Sequence, residues 1–242
     1  MRKIIPICTL GCVALISNVA LAGVVFTSSF QSESTGASDP NFSGGEIVTS
    51  PNGTNFLADL GPGGSTTLTL TGLAPHTEVT LDFTLDAVGS LDGGPPPLYG
   101  GGPGDYFDVG YSSVSSSGNV FNYTFANFGC GETQSYPTAG SLPTTGAATV
   151  NALGYSGFPA CADGVQDAEY NIALSPIADS DGTISLTFTD NSNEGAGNEF
   201  YGIDNVVVST DAVAATTPEP ATVLLVALGL CLLPAVRRRG QA

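Results

Sequence analysis

Residues 77–88 read TEVTLDFTLDAV. Val79, Leu81, Phe83 and Leu85 fall on one side of an extended chain; Thr80, Asp82, Thr84 and Asp86 fall on the other. Such two-residue alternation marks a half-buried antiparallel strand, with its apolar side on a core and its polar side on water. The pattern recurs in GTISLTFTD (182–190), NVFNYTFAN (119–127), AEYNIALSP (168–176) and STTLTLTGL (65–73). With GVVFTSSF (23–30), GEIVTS (45–50), NFLADL (55–60), YFDVGY (106–111) and GIDNVVVS (202–209), about ten strands are expected. No 3.6-residue period stands out between them. Thirty-two glycines and sixteen prolines supply the turns. The expected fold is all-β: a two-sheet antiparallel β-sandwich of jelly-roll type, with the first and last strands as neighbours.

The two ends differ from this middle. MRKIIPICTLGCVALISNVALA (1–22) has a basic start, an apolar run and a small-x-small end at Ala20 and Ala22, the pattern of a secretory signal peptide cut before Gly23. Residues 221–236 carry no charge and are followed by Arg237, Arg238 and Arg239. As a helix that run is roughly 24 Å long, somewhat short of a ~30 Å hydrocarbon core, and the arginines would stay on the cytoplasmic side. The alternatives are an uncleaved N-terminal helix and a buried C-terminal one. The expected organisation is signal peptide 1–22, exported sandwich 23–209, polar linker 210–217 and C-terminal segment 218–242.

Composition narrows the function of the exported part. All five Lys and Arg lie at positions 2, 3 and 237–239, while twenty-one of the twenty-two acids lie between 23 and 217. No salt bridge is expected inside the exported domain, and nucleic acid and anionic surfaces are excluded as partners. Cys130 and Cys161 are an even pair in an oxidising compartment, which points to a disulfide.

Pro218-Glu219-Pro220, the apolar span and the terminal arginine cluster together resemble the PEP-CTERM sorting signal of Gram-negative bacteria. The resemblance implies export through the Sec translocon, transient anchoring in the inner membrane and processing by an exosortase. It further implies delivery to the cell surface or an extracellular matrix associated with exopolysaccharide and biofilm. A looser resemblance runs from LTLTGLAPHTEVTLDFTL (68–85) through SLDGG (90–94), GPGDYF (102–107), QSYP (134–137) and ALGYSG (152–157) to NEFYGIDNVVV (198–208). These signatures are similar to those of secreted jelly-roll domains described as lectin-like or carbohydrate-binding. Relatives often carry tryptophan where this chain has Leu91 and Tyr201.

Candidate site residues follow from these stretches. On uninterrupted alternation, Ile203 facing the core places Asp204 outward and Asn205 inward. Glu199, Asp204 and Asn205 are then candidate ligands of a structural calcium; the other reading is a turn-stabilising Asn and a solvated Asp. Asp92, Asp105 and Asp108 flank the glycine-proline loop as a second candidate cation site, with solvated loop acids as the alternative. DNSNEG (190–195) fails the EF-hand spacing, because position twelve is Tyr201 rather than Glu. Tyr99, Tyr106 and Tyr201 are candidate sugar-stacking residues, though tyrosines in a sandwich also serve as core or rim. His76 sits in a turn, and no nucleophile elbow, zinc motif or phosphate loop is present. The function expected is therefore non-catalytic: a surface or matrix protein associated with polysaccharide and stabilised by calcium. The alternatives are a structural matrix protein without a ligand, or a polysaccharide-degrading enzyme.

Overall fold

The computed structural model describes residues 23–58, 62–94 and 104–211. The signal peptide with Ala20 and Ala22, Tyr99, Pro218, Glu219, Pro220, the apolar span and Arg237, Arg238 and Arg239 lie outside the described residues. Thirteen strands and no helix occur among those described. They are β1 (Gly23–Ser28), β2 (Phe42–Ser43), β3 (Glu46–Thr49), β4 (Asn55–Ala58), β5 (Ser65–Thr71), β6 (Glu78–Gly89) and β7 (Tyr106–Ser113). Then follow β8 (Ser117–Thr124), β9 (Thr149–Val150), β10 (Asp167–Ala173), β11 (Ile177–Ala178), β12 (Thr183–Asn191) and β13 (Glu199–Thr210). Each of the ten runs with strand character forms a strand. The additional β2, β9 and β11 are two residues each, too short to show a period.

All the pairings are antiparallel. The first sheet runs β3-β4-β13-β6-β10-β9, with β1 also on β13 and β11 also on β6; the second runs β2-β5-β12-β7-β8. The first and last strands are neighbours, Gly23 opposite Thr210 and Ser28 opposite Val206. β13 continues through Thr210, beyond the expected domain end at 209, and Asp211 still accepts the N–H groups of Thr77 and Glu78.

Alternation packs the sheets face to face. Val79, Leu81, Phe83, Leu85 and Ala87 of β6 meet Leu68, Phe107, Val109, Ile184, Leu186 and Phe188 in one core. The Phe83 ring stands edge-on to Phe188 at 5.4 Å, and Phe107 packs on Tyr201 at 5.5 Å.

The polar side of β6 departs from the expectation. Thr84 and Asp86 are buried, because a second apolar cluster lies on the outer face of the first sheet. Phe56, Ala58, Val88, Leu153 and Phe200 form it, with Tyr155 and Phe158 packed alongside. The 151–166 segment lies over the sheet there. Asp167 holds it, accepting the N–H groups of Leu153 at 3.0 Å and Tyr155 at 3.2 Å.

β13 carries a second departure. Ile203, Val206 and Val208 all face the core, and the register slips between Asp204 and Val207. A bulge at Asn205, whose φ of 49° is left-handed, absorbs the extra residue. Asn205 is consequently exposed rather than inward as unbroken alternation demanded, while Asp204 keeps its outward direction and is nonetheless buried.

The long excursion between β8 and β10 is ordered by buried polar groups. Gln134 accepts the N–H groups of Ala126 and Thr144 and donates to Thr145 O. The Cys130–Cys161 disulfide closes the same region, with Cα atoms 5.6 Å apart. Replacing both cysteines by serine is expected to lower the unfolding free energy by about 3.5 kcal/mol in the chain-entropy account, measured by urea denaturation.

One buried hydrogen bond joins the histidine to an acid. His76 Nδ1 lies 2.7 Å from Ala74 O and Nε2 lies 3.0 Å from Asp179 Oδ2, with both side chains buried. The pair ties the β5–β6 turn to the segment before β12.

Candidate functional site

Several strand ends meet at one end of the sandwich and bring buried acids together. Glu199 opens β13 opposite Gly89, the last residue of β6. Asp190 lies near the end of β12, opposite Phe107, and Asp105 precedes β7. Only glycine fits at 89: its φ is +85° and a Cβ there would lie 2.0 Å from Asn198 O.

The carboxylates act on backbone. Asp105 Oδ2 accepts the N–H of Asp92 at 2.6 Å and Oδ1 that of Asn193 at 3.0 Å. Glu199 Oε1 accepts from Asn193 at 3.1 Å and Glu194 at 3.2 Å. Asp190 Oδ1 accepts from Ser192 at 2.8 Å, and Oδ2 from Tyr201 at 2.9 Å, which joins the two sheets. The Tyr201 hydroxyl donates to Asp105 O at 2.9 Å.

Burial dominates the electrostatics. Glu199 is pushed up to about 9, first by desolvation, then by a hydrogen bond with the Asp105 carboxyl and by its charge. Asp92 rises to about 6 through burial and then the charges of Asp105, Glu132 and Glu194. Asp190 is raised by burial and held back by the Tyr201 and Ser192 donors. Burial and the neighbouring Asp105 therefore favour the protonated form of Glu199.

Three candidate assignments change. Glu199, Asp204 and Asn205 do not form one calcium site: Glu199 joins Asp105, Asp204 accepts from Gln31 on the outer face of the first sheet, and Asn205 is exposed at the bulge. Tyr201 is not a stacking platform. It is 1% exposed, wedged against Phe107 and Phe125, because it shares its side of β13 with Ile203. That parity was visible in the sequence and also accounts for the burial of Glu199. Tyr106 is half-buried on the second sheet. Asp108 sits apart from Asp92 and Asp105, accepting side-chain amides from Asn119, Asn122 and Asn191.

The hard oxygen donors of the end cluster suit calcium in kind. In arrangement they are occupied by N–H groups. Among the described residues no group of three or more His, Cys, Asp or Glu side chains converges to hold a metal ion. Nor does the cluster fit glycoside hydrolysis. Catalytic carboxyl pairs stand about 5–9.5 Å apart around a substrate, whereas Asp105 and Glu199 bond directly to one another. A pocket beside Asp190, lined by Thr66, Phe107, Phe188 and Tyr201, has about 10 Å³ of free volume, near the minimum for one water.

The outer face of the second sheet is of another kind. Thr67, Thr69 and Thr71 of β5 stand opposite Thr187, Ser185 and Thr183 of β12, and Thr189 opposite Asp108 of β7. The Thr67 and Thr187 hydroxyls are 3.0 Å apart, as are those of Thr69 and Ser185. The result is a hydroxyl ladder, with Asn191 at the end of β12 and Tyr106 of β7 and Asn122 of β8 beside it.

No protein-family model and no curated protein matches this chain. Among solved structures, it is similar to the K3 cleaved adhesin domain of Lys-gingipain from Porphyromonas gingivalis w83. The TM-score is 0.42 at 11% identity, covering 78% of this chain and 100% of that one. It is also similar to the C-terminal CBM6 of LamC, a marine laminarinase from Zobellia galactanivorans. There the TM-score is 0.35 at 10% identity, covering 77% of this chain and 98% of that one. At these TM-scores neither likeness bears on activity.

Proposed function

We propose that this chain is an exported, non-catalytic β-sandwich of jelly-roll type that associates with extracellular polysaccharide through the outer face of its second sheet. The hydroxyl ladder on β5 and β12 carries the reading. Sugar hydroxyls exchange hydrogen bonds with Ser, Thr and Asn side chains, and uncharged donors suit a neutral polymer. A domain with no Lys or Arg between residues 23 and 217 repels an acidic polymer unless cations bridge the two. Delivery rests on the resemblance of residues 218–242 to a PEP-CTERM signal: Sec export, exosortase processing near Pro218-Glu219-Pro220, then the surface or matrix. The buried, amide-saturated end cluster supports a scaffold role for its acids over a catalytic one.

Pull-down on neutral polysaccharides, with calcium and with chelator, tests the reading. Wild-type protein is expected to be retained. Thr69→Arg with Ser185→Arg, placed on the outward side of their strands, is expected to lower retention at least tenfold while leaving the melting temperature unchanged. No retention of the wild type under either condition counts against the proposal.

A further inference from the structure

Among the described residues, Asp86 is a buried acid that the fold leaves without a hydrogen-bond partner. Its side chain is 1% exposed, and neither carboxylate oxygen has a hydrogen-bond partner. Leu85 and Ala87 face the core, so Asp86 faces outward, under the cover of the Phe56, Leu153 and Tyr155 cluster. Directly opposite it stand Glu169 of β10 on one side and Gly202 of β13 on the other. Cross-strand partners share a face with side chains about 4.5–5.5 Å apart at Cβ, and like charges placed so are destabilising. The neighbouring rung carries Asp204, opposite Thr84.

The buried and half-buried acids around it have donors. Asp204 accepts from Gln31, from the Asn205 N–H and from the Asn205 amide. Asp167 accepts two backbone N–H groups, and Glu169 accepts the Thr149 hydroxyl. No cationic side chain can serve Asp86: residues 23–217 contain no Lys or Arg, and the single histidine is bonded to Asp179. A bare carboxylate sealed under aromatic rings is among the costliest arrangements a fold can hold.

We infer that Asp86 and Glu169 bind one hard divalent cation, calcium, between β6 and β10 on the outer face of the first sheet. The two carboxylates supply the charge, and water reaching the half-buried Glu169 completes a shell of six to eight oxygens. Gly202 leaves the opposite position without a side chain, and the Phe56 ring fills that space; a Cβ at 202 would lie 2.3 Å from Phe56 Cδ2. The aromatic cover keeps bulk water from the Asp86 side and strengthens the attraction. Without the ion the site holds protons instead. Burial, then Glu169, Asp204 and Asp167, raises Asp86 well above its ordinary value. Asp204 rises to about 6 through burial and then Glu169, opposed by its bonds to Asn205 and Gln31. This site is independent of glycan binding by the second sheet.

Calorimetric titration of chelator-treated full-length protein with calcium chloride at neutral pH tests it. Wild type is expected to bind calcium. Asp86→Asn and Glu169→Gln should each weaken that binding at least tenfold, and Glu199→Gln should leave it unchanged. In chelator, Asp86→Asn should melt at or above the wild-type temperature, since the amide removes an unpaired charge. Glu169→Gln, at a half-buried position, keeps the test open should Asp86→Asn not fold. Terbium locates the ion: the chain has no tryptophan, so tyrosine sensitises its emission, and Tyr155→Phe should remove most of the signal. Absence of calcium binding by the wild type, an unchanged isotherm in Glu169→Gln, or undiminished terbium emission in Tyr155→Phe overturns the assignment.

Discussion

Replacing Asp105 by Ala is expected to lower the unfolding free energy by about 3–5 kcal/mol, a large part of the stability of a single domain. The side chain is fully buried and accepts two backbone N–H groups from different segments, Asp92 after β6 and Asn193 after β12. Truncation strands both donors away from water, each at about 1–3 kcal/mol, and removes the partner of Glu199. Asp105→Asn keeps one acceptor and should cost about half as much. Urea denaturation reads both, with the slope against denaturant unchanged. A loss below about 1 kcal/mol in Asp105→Ala would show that the loops are held elsewhere.

Acid is expected to stabilise this domain. Asp92 and Asp204 rise to about 6, Glu199 to about 9, and Asp86 and Asp190 are also raised. The folded chain therefore holds more protons than the unfolded one across this range. Stability is fully present below the unfolded carboxylate values and is lost as pH rises through the folded ones. Asp92 and Asp204 together contribute about 3 kcal/mol between about pH 7.5 and 4.5, after halving the share of the partly exposed Asp92. Glu199 and the general repulsion among twenty-one acids act in the same direction. Asp181 and Asp211 are lowered by hydrogen bonds and oppose it. Melting temperatures measured in chelator should climb as pH falls toward 4.5. A fall over that range contradicts the reading, and calcium should flatten the dependence by occupying Asp86.

The strands were legible because each is a short run with one apolar side, and burial of that side needs no knowledge of the partner. The pairing of β1 with β13 and the disulfide were legible for related reasons, one from the habits of two-sheet folds and the other from compartment and parity. The bulge at Asn205 was not. Nothing in IDNVVV states where the count slips, because a run of three valines satisfies either phase. The burial of Tyr201 and Glu199 could have been read from their parity with Ile203. The Asp105–Glu199 contact could not, since it joins the residue before β7 of one sheet to the first residue of β13 in the other.

Residues 77–88 show where the division lies. Their alternation by itself determined a strand, its inward set Val79, Leu81, Phe83 and Leu85, and hence a sandwich, because side-chain direction in a strand is a local property of the backbone. Whether Asp86 on the other side meets water is a non-local matter. It depends on the 151–166 segment, some seventy positions on, which Asp167 draws across the sheet. Tertiary packing alone turned an ordinary solvent-facing acid into a buried one without a partner.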